Sequence, residues 1–207
     1  MKSKFLIVFI LAICMLTACT LFSKKEVIEP PKEIKQWAIT AAASDAYGGI
    51  YGGNRDDQSP YAATGAPDVE KCEDSGMAWT ASKEDNGEQW LELGYEKEVY
   101  VSRISIKESF GPGSVIRVEI LDNEAGSYRT LWEGRSKSKL CPGFFTVGYE
   151  LKEGNITKTM APFLSDKIKI TFDTDIHGWN EVDAVELAGY DQKWYMYNQT
   201  LFIESTE

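Results

Sequence analysis

Apolar residues recur at every second position through most of this chain. No stretch of ten or more residues beyond position 19 carries them at helical spacing. Alternation of period two gives a strand one apolar and one polar face, so the chain must pack sheets with one buried side each. Leu91 and Leu93 alternate with Trp90 and Glu92; after a short turn come Val99 and Val101, then Ile104 and Ile106. The apolar parity switches between Val101 and Ile104, which predicts a bulge or bend there. Ile116, Val118 and Ile120 alternate with Arg117 and Glu119, and Ile168, Ile170 and Phe172 alternate with Lys169 and Thr171. Val185 and Leu187 complete the set, with weaker strands over 128–132 and 144–149. Gly111-Pro112-Gly113, Asp122-Asn123 and Glu153-Gly154-Asn155 punctuate the runs as turns. The pattern predicts an all-β protein built as an antiparallel β-sandwich of jelly-roll type.

One domain is expected over 36–190, because no second linker interrupts it. Residues 19–35 are polar, contain Pro30 and Pro31, and lack apolar periodicity, which predicts a semi-extended tether. Residues 191–207 hold Trp194, Tyr195, Tyr197, Leu201, Phe202 and Ile203, too apolar for a free tail. They are expected to form a strand or a segment packed on the sandwich.

At the N-terminus, Lys2 and Lys4 precede an apolar run from Phe5 to Leu16, followed by Thr17 and Ala18. Charge, a short apolar stretch and small residues make a secretory signal over 1–18. The run is too short to cross a bilayer core of ~30 Å as a helix. Leu16-Thr17-Ala18-Cys19 resembles a bacterial lipobox. That resemblance implies cleavage before Cys19, acyl chains on Cys19 and a lipid-anchored protein of the bacterial cell envelope, at the outer membrane or cell surface. Loss of Lys2 and Lys4 moves the net charge from −10 to −12. So acidic a chain has no electrostatic reason to bind nucleic acid or an anionic lipid surface.

Cys14 leaves with the signal and Cys19 is expected to carry lipid, which leaves Cys72 and Cys141. In an oxidising compartment such a pair is expected to bridge. Neither has the CxxC or CxxH neighbour of a metal site.

Four stretches in order carry a resemblance to the galactose-binding-like, or discoidin-like, β-sandwich. They are Ala62–Asp68; Ala78-Trp79 with Gln89–Leu93; Glu108–Val115; and Glu181–Gly189. The resemblance covers roughly 40–190 and implies the fold. The superfamily binds carbohydrates, lipids or proteins, so fold alone does not select a ligand. It also implies one structural calcium in carbohydrate-binding relatives, for which Asp68 and Glu186 are the matching residues. Asp68 is followed by Val69 instead of the usual glycine.

The loop from Asp45 to Asp57 holds four glycines, which expose neighbouring side chains. Tyr47 and Tyr51 are candidates to stack on sugar rings, with Asn54, Arg55 and Asp56 to hydrogen-bond hydroxyls. The alternative is a covering loop whose tyrosines plug the sandwich. The loop 173–181 adds His177 and Trp179 as rim candidates. Catalysis has little support: the lone histidine has no nucleophile motif, and Pro112 and Ile116 occupy the glycine positions of a GxSxG elbow around Ser114. Asp183 shares parity with Val185 and Leu187, so it is an inward carboxylate in need of Arg103, Arg117 or a backbone turn. The expected function is a non-catalytic, lipid-anchored envelope module whose partner is a glycan. A protein-interaction subunit of an envelope complex is the second reading, and a glycan-processing enzyme the third.

Overall fold

The computed structural model describes residue 29 and residues 31–176, 178–197 and 200–203. The expected signal, Cys19 and His177 lie outside the described residues. In chain order the strands are β1 (Ile34–Trp37), β2 (Thr40–Ala43), β3 (Glu88–Phe110), β4 (Val115–Asp122), β5 (Ser127–Glu133) and β6 (Gly143–Gly148). They continue as β7 (Leu151–Glu153), β8 (Ile156–Lys158), β9 (Leu164–Asp173), β10 (Glu181–Tyr190), β11 (Trp194–Tyr197) and β12 (Thr200–Ile203). All pairings are antiparallel. The expected all-β sandwich is the fold observed.

The long strand β3 serves both layers. Its first part, Glu88–Gly94, pairs with β2 and β9, and β9 leads on to β4 and β5. Between Gly94 and Val99 the register breaks, and the chain turns a corner there. From Val101 to Phe110 the same strand pairs with β10 and β6, and β10 carries β1 on its outer edge. The bulge expected between Val101 and Ile104 is present: Val101 faces Gly189 and Arg103 faces Ala188, so Ser102 is the extra residue.

Between the layers lie Leu91, Leu93, Ile104, Ile106, Ile120, Ile168, Ile170, Phe172 and Leu187, all buried. Each was an apolar position of the alternating pattern, and burial of each such side chain stabilises by ~1.5–3 kcal/mol. Trp79 is the largest core side chain. It packs on Phe172 at 5.0 Å and donates its indole N–H to the Asp45 carbonyl at 3.0 Å.

Strands are present at both ends of the described chain. The domain begins at Ile34, which pairs with Gly189, and Glu33 is already fastened by Ser102 Oγ at 2.8 Å and by Arg103. The C-terminal segment forms strands, but in a small sheet of its own with the β7–β8 hairpin, in the order β12-β11-β8-β7. That hairpin turns at Gly154, whose φ of +60° suits glycine.

Candidate functional site

At one end of the sandwich β3 begins and finishes, β9 finishes and β10 starts. The loops of that end therefore gather regardless of their separation in sequence. Asp45 fixes the first of them: its carboxylate accepts from Ser82 N at 2.8 Å, Ser82 Oγ at 2.7 Å and Asn86 Nδ2 at 2.6 Å. Burial works against ionisation of Asp45, but these hydrogen bonds outweigh it and hold the carboxyl below its usual value. Tyr47, two residues on, donates its backbone N–H to Thr80 O at 3.0 Å and turns its ring outward, 60% exposed. Gly48 lies so close under the Asp57 carbonyl that a Cβ could not fit, which makes the loop fold back on itself.

Asn180 Nδ2 donates to Gly111 O at 2.7 Å and ties the last loop to the turn after β3. Trp179 beside it reaches the first loop, and its ring meets that of Tyr47 edge to face, with centroids 5.6 Å apart and planes at 87°. Together with Gln58 and Asp74 they line a cleft of about 270 Å³. Gln58 sits at φ 55°, uncommon for a residue with a side chain. Its backbone N–H donates to Gly76 O at 3.0 Å, and its amide donates to Asp74 Oδ1 at 3.2 Å and Ser75 O at 3.3 Å. Such a conformation persists only where its surroundings over-determine it, as they do here.

The expected disulfide between Cys72 and Cys141 is present, with an S–S distance of 2.05 Å. It fastens the Asp74 loop to the segment ahead of β6. Behind Asp74 stands Glu181, 1% exposed, whose carboxyl accepts from Ser75 N at 3.2 and 3.3 Å and from Ser109 Oγ at 3.4 Å. Burial, joined by the hydrogen bond and charge of Asp74, pushes the Glu181 pKa up to about 8. At neutral pH Glu181 is therefore protonated and can donate to Asp74.

Of the residues singled out in the sequence, the structure brings Tyr47 and Trp179 together. Tyr51 is 94% exposed and stands outside the cleft lining. Arg55 turns inward: its guanidinium pairs with Asp68 at 2.7 Å, donates to Ala66 O at 2.9 Å and packs under Gly65. The Asn54 carbonyl accepts from Ser59 Oγ at 3.0 Å, while Asp56 lies exposed with its carbonyl near Gly76. Gln58 and Asp74 are the polar members that sequence reasoning missed. The only signal for Asp74 was its place two residues after a bridging cysteine.

Asp68 and Glu186, the residues that the resemblance matches to a calcium site, each face an arginine. Asp68 is held by Arg55, and Glu186 by Arg103 at 3.2 Å. Among the described residues no group of three or more His, Cys, Asp or Glu side chains is placed to hold a metal ion. Asp183 finds the backbone, not an arginine. Its carboxylate accepts from Asp68 N at 3.1 Å and Val69 N at 3.2 Å, while Arg103 and Arg117 pair elsewhere. Burial first, then the neighbouring Asp68, raises the Asp183 pKa against those two hydrogen bonds. Its role is to clamp the loop after Pro67 onto β10.

The architecture is shared with solved structures. A family 32 carbohydrate-binding module of NanJ from C. perfringens, in complex with galactose, superposes with a TM-score of 0.50 at 17% identity, over 75% of this chain and 99% of that chain. The corresponding module of AlyQ, in complex with 4,5-unsaturated mannuronic acid, gives 0.46 at 13% identity over 74% and 97%. At these identities the likeness is one of fold alone, an antiparallel β-sandwich. No curated protein matches the chain in sequence. Residues 28–198 do match a described family along their whole length, and the chain thus belongs to the family of the pappalysin-1 SD scarf domain, C-terminal.

Proposed function

We propose that this chain is a non-catalytic carbohydrate-binding module, tethered to the bacterial envelope through a lipid on Cys19. The observation that carries the reading is the Tyr47–Trp179 corner: two aromatic rings, one exposed and one half-buried, at the mouth of a cleft that also holds an amide and a carboxylate. Apolar ring faces take the C–H face of a sugar, and the polar groups around them fix its hydroxyls. A similar solved fold, a module in complex with galactose, is consistent with this reading.

The arrangement is poorly suited to glycoside hydrolysis. The two carboxyl groups at the cleft, Asp74 and Glu181, hydrogen-bond each other. Glycosidases separate theirs by ~5–9.5 Å so that a sugar carbon or a water fits between. Glu181 is also sealed behind the Asp74 loop. The test is isothermal titration of the detergent-solubilised chain against a broad panel of cell-wall and host polysaccharides. Saturable binding that Trp179→Ala weakens supports the reading. Silence across the panel overturns it.

A further inference from the structure

The polar groups left free in the cleft are nearly all acceptors. Gln58 has committed its amide N–H groups to Asp74 and Ser75, which leaves its side-chain oxygen as the group it can still offer, an acceptor. Asp74 is exposed; Gln58 donates to one of its oxygens, Glu181 hydrogen-bonds it from behind, and among the described residues no lysine or arginine pairs with it. Glu181 behind it is kept neutral by burial, so the negative charge of the cleft belongs to Asp74. Among the described residues no lysine or arginine lines the space. Arg55, the cation of the neighbouring loop, is spent on Asp68 and Ala66.

A carboxylate flanked by two aromatic rings set nearly at right angles is the arrangement that accepts an organic cation. The ring faces attract positive charge, and the carboxylate completes the pairing. A uronic acid would meet repulsion here, since nothing in the described lining neutralises it. We infer that the cleft selects a glycan whose sugar carries a free, protonated amine, an unacylated hexosamine unit seated with its ammonium on Asp74 and its ring against Trp179 and Tyr47. The inference rests on the carbohydrate-binding reading and adds the chemical class to it.

The experiment titrates the detergent-solubilised full chain with a glucosamine hexamer, its fully N-acetylated counterpart, a neutral galactose oligomer and a uronate oligomer. The free-amine hexamer is expected to bind at least tenfold more tightly than the N-acetylated one, and this preference should shrink as salt rises. Asp74→Asn should abolish the preference, bringing the ratio of the two affinities to about one, while Asp74→Glu should retain part of it. The comparison on the unmodified chain needs no variant, so it stands even where a substitution perturbs the loop. Equal or tighter binding of the N-acetylated or neutral oligomer overturns the amine selectivity and leaves carbohydrate binding intact. Persistence of the preference in Asp74→Asn assigns it to the general acidity of the chain and likewise overturns it. Absence of binding to every oligomer overturns both this inference and the carbohydrate reading.

Discussion

Trp179 presses its ring edge to face against Tyr47, although one precedes β10 and the other follows β2. The contact exists because β3 both begins and finishes at the loop end, its first part paired with β9 and its last with β10. Both loops are thereby brought to the same rim, and the cleft is a property of the fold before it is a property of any loop.

Tyr47→Ala and Trp179→Ala should each weaken saccharide binding by roughly thirtyfold, the ~2 kcal/mol typical of an aromatic anchor. Their places at the rim, Tyr47 exposed and Trp179 half-buried, predict thermal unfolding close to that of the unmodified chain. Tyr51→Ala, outside the lining, should change neither. Titration calorimetry paired with thermal melts reads all three, and early unfolding of the first two variants would place their rings in the core.

Glu181 makes stability depend on pH. Its folded pKa of about 8 exceeds the unfolded carboxyl value of 4.5, so the folded state holds the proton more tightly. Its contribution is fully present below about pH 4.5 and declines as pH rises to about 8, where the proton is finally lost. Glu181→Gln keeps a donor toward Asp74 without the charge. The difference in melting temperature between this variant and the unmodified chain should therefore grow in the variant's favour from pH 5 to pH 8. A constant difference across that range would contradict a protonated Glu181.

Sequence alternation made the sandwich legible because each of Leu91, Ile120, Ile170 and Leu187 reports only on its own strand and face. The corner between Gly94 and Val99 read as a turn between two strands, since local pattern carries no information on which sheet a strand joins next. Tyr51 and Trp179 stood out as aromatic residues beside glycine and outside any alternation; of the two loop tyrosines it is Tyr47 that lines the cleft with Trp179. Gln58 and Asp74 did not stand out. Ordinary polar residues in separate loops become a site only once the register of β9 and β10 sets their neighbours. The pairing of Arg55 with Asp68 was illegible for the related reason that Asp68 lies across a turn whose backbone only the folded chain defines.

The Cys72–Cys141 bridge should matter for binding as well as stability. Closing a loop across a separation of 69 residues contributes roughly 4 kcal/mol by the chain-entropy estimate. Replacing both cysteines by serine should lower the melting temperature and, by freeing the Asp74 loop, weaken saccharide binding at temperatures where the variant is still folded. Full affinity in a folded double variant would show that the loop is held by its hydrogen bonds alone. Non-reducing peptide mapping should recover the two cysteines joined.

Cys19→Ser should stop acylation and processing, so that the product keeps residues 1–18 and lacks acyl mass. Intact-mass spectrometry and detergent phase partition measure both. A variant that matures and partitions normally would end the lipoprotein proposal.

The entry of the chain beside Gly189 sets how such a protein would face its surroundings. Strand β10 runs from Glu181, under the cleft, to Gly189, where β1 begins. At ~3.3 Å per residue this is ~26 Å of rigid strand. A domain held from below through Cys19 would thus carry its cleft at the tip, pointed outward.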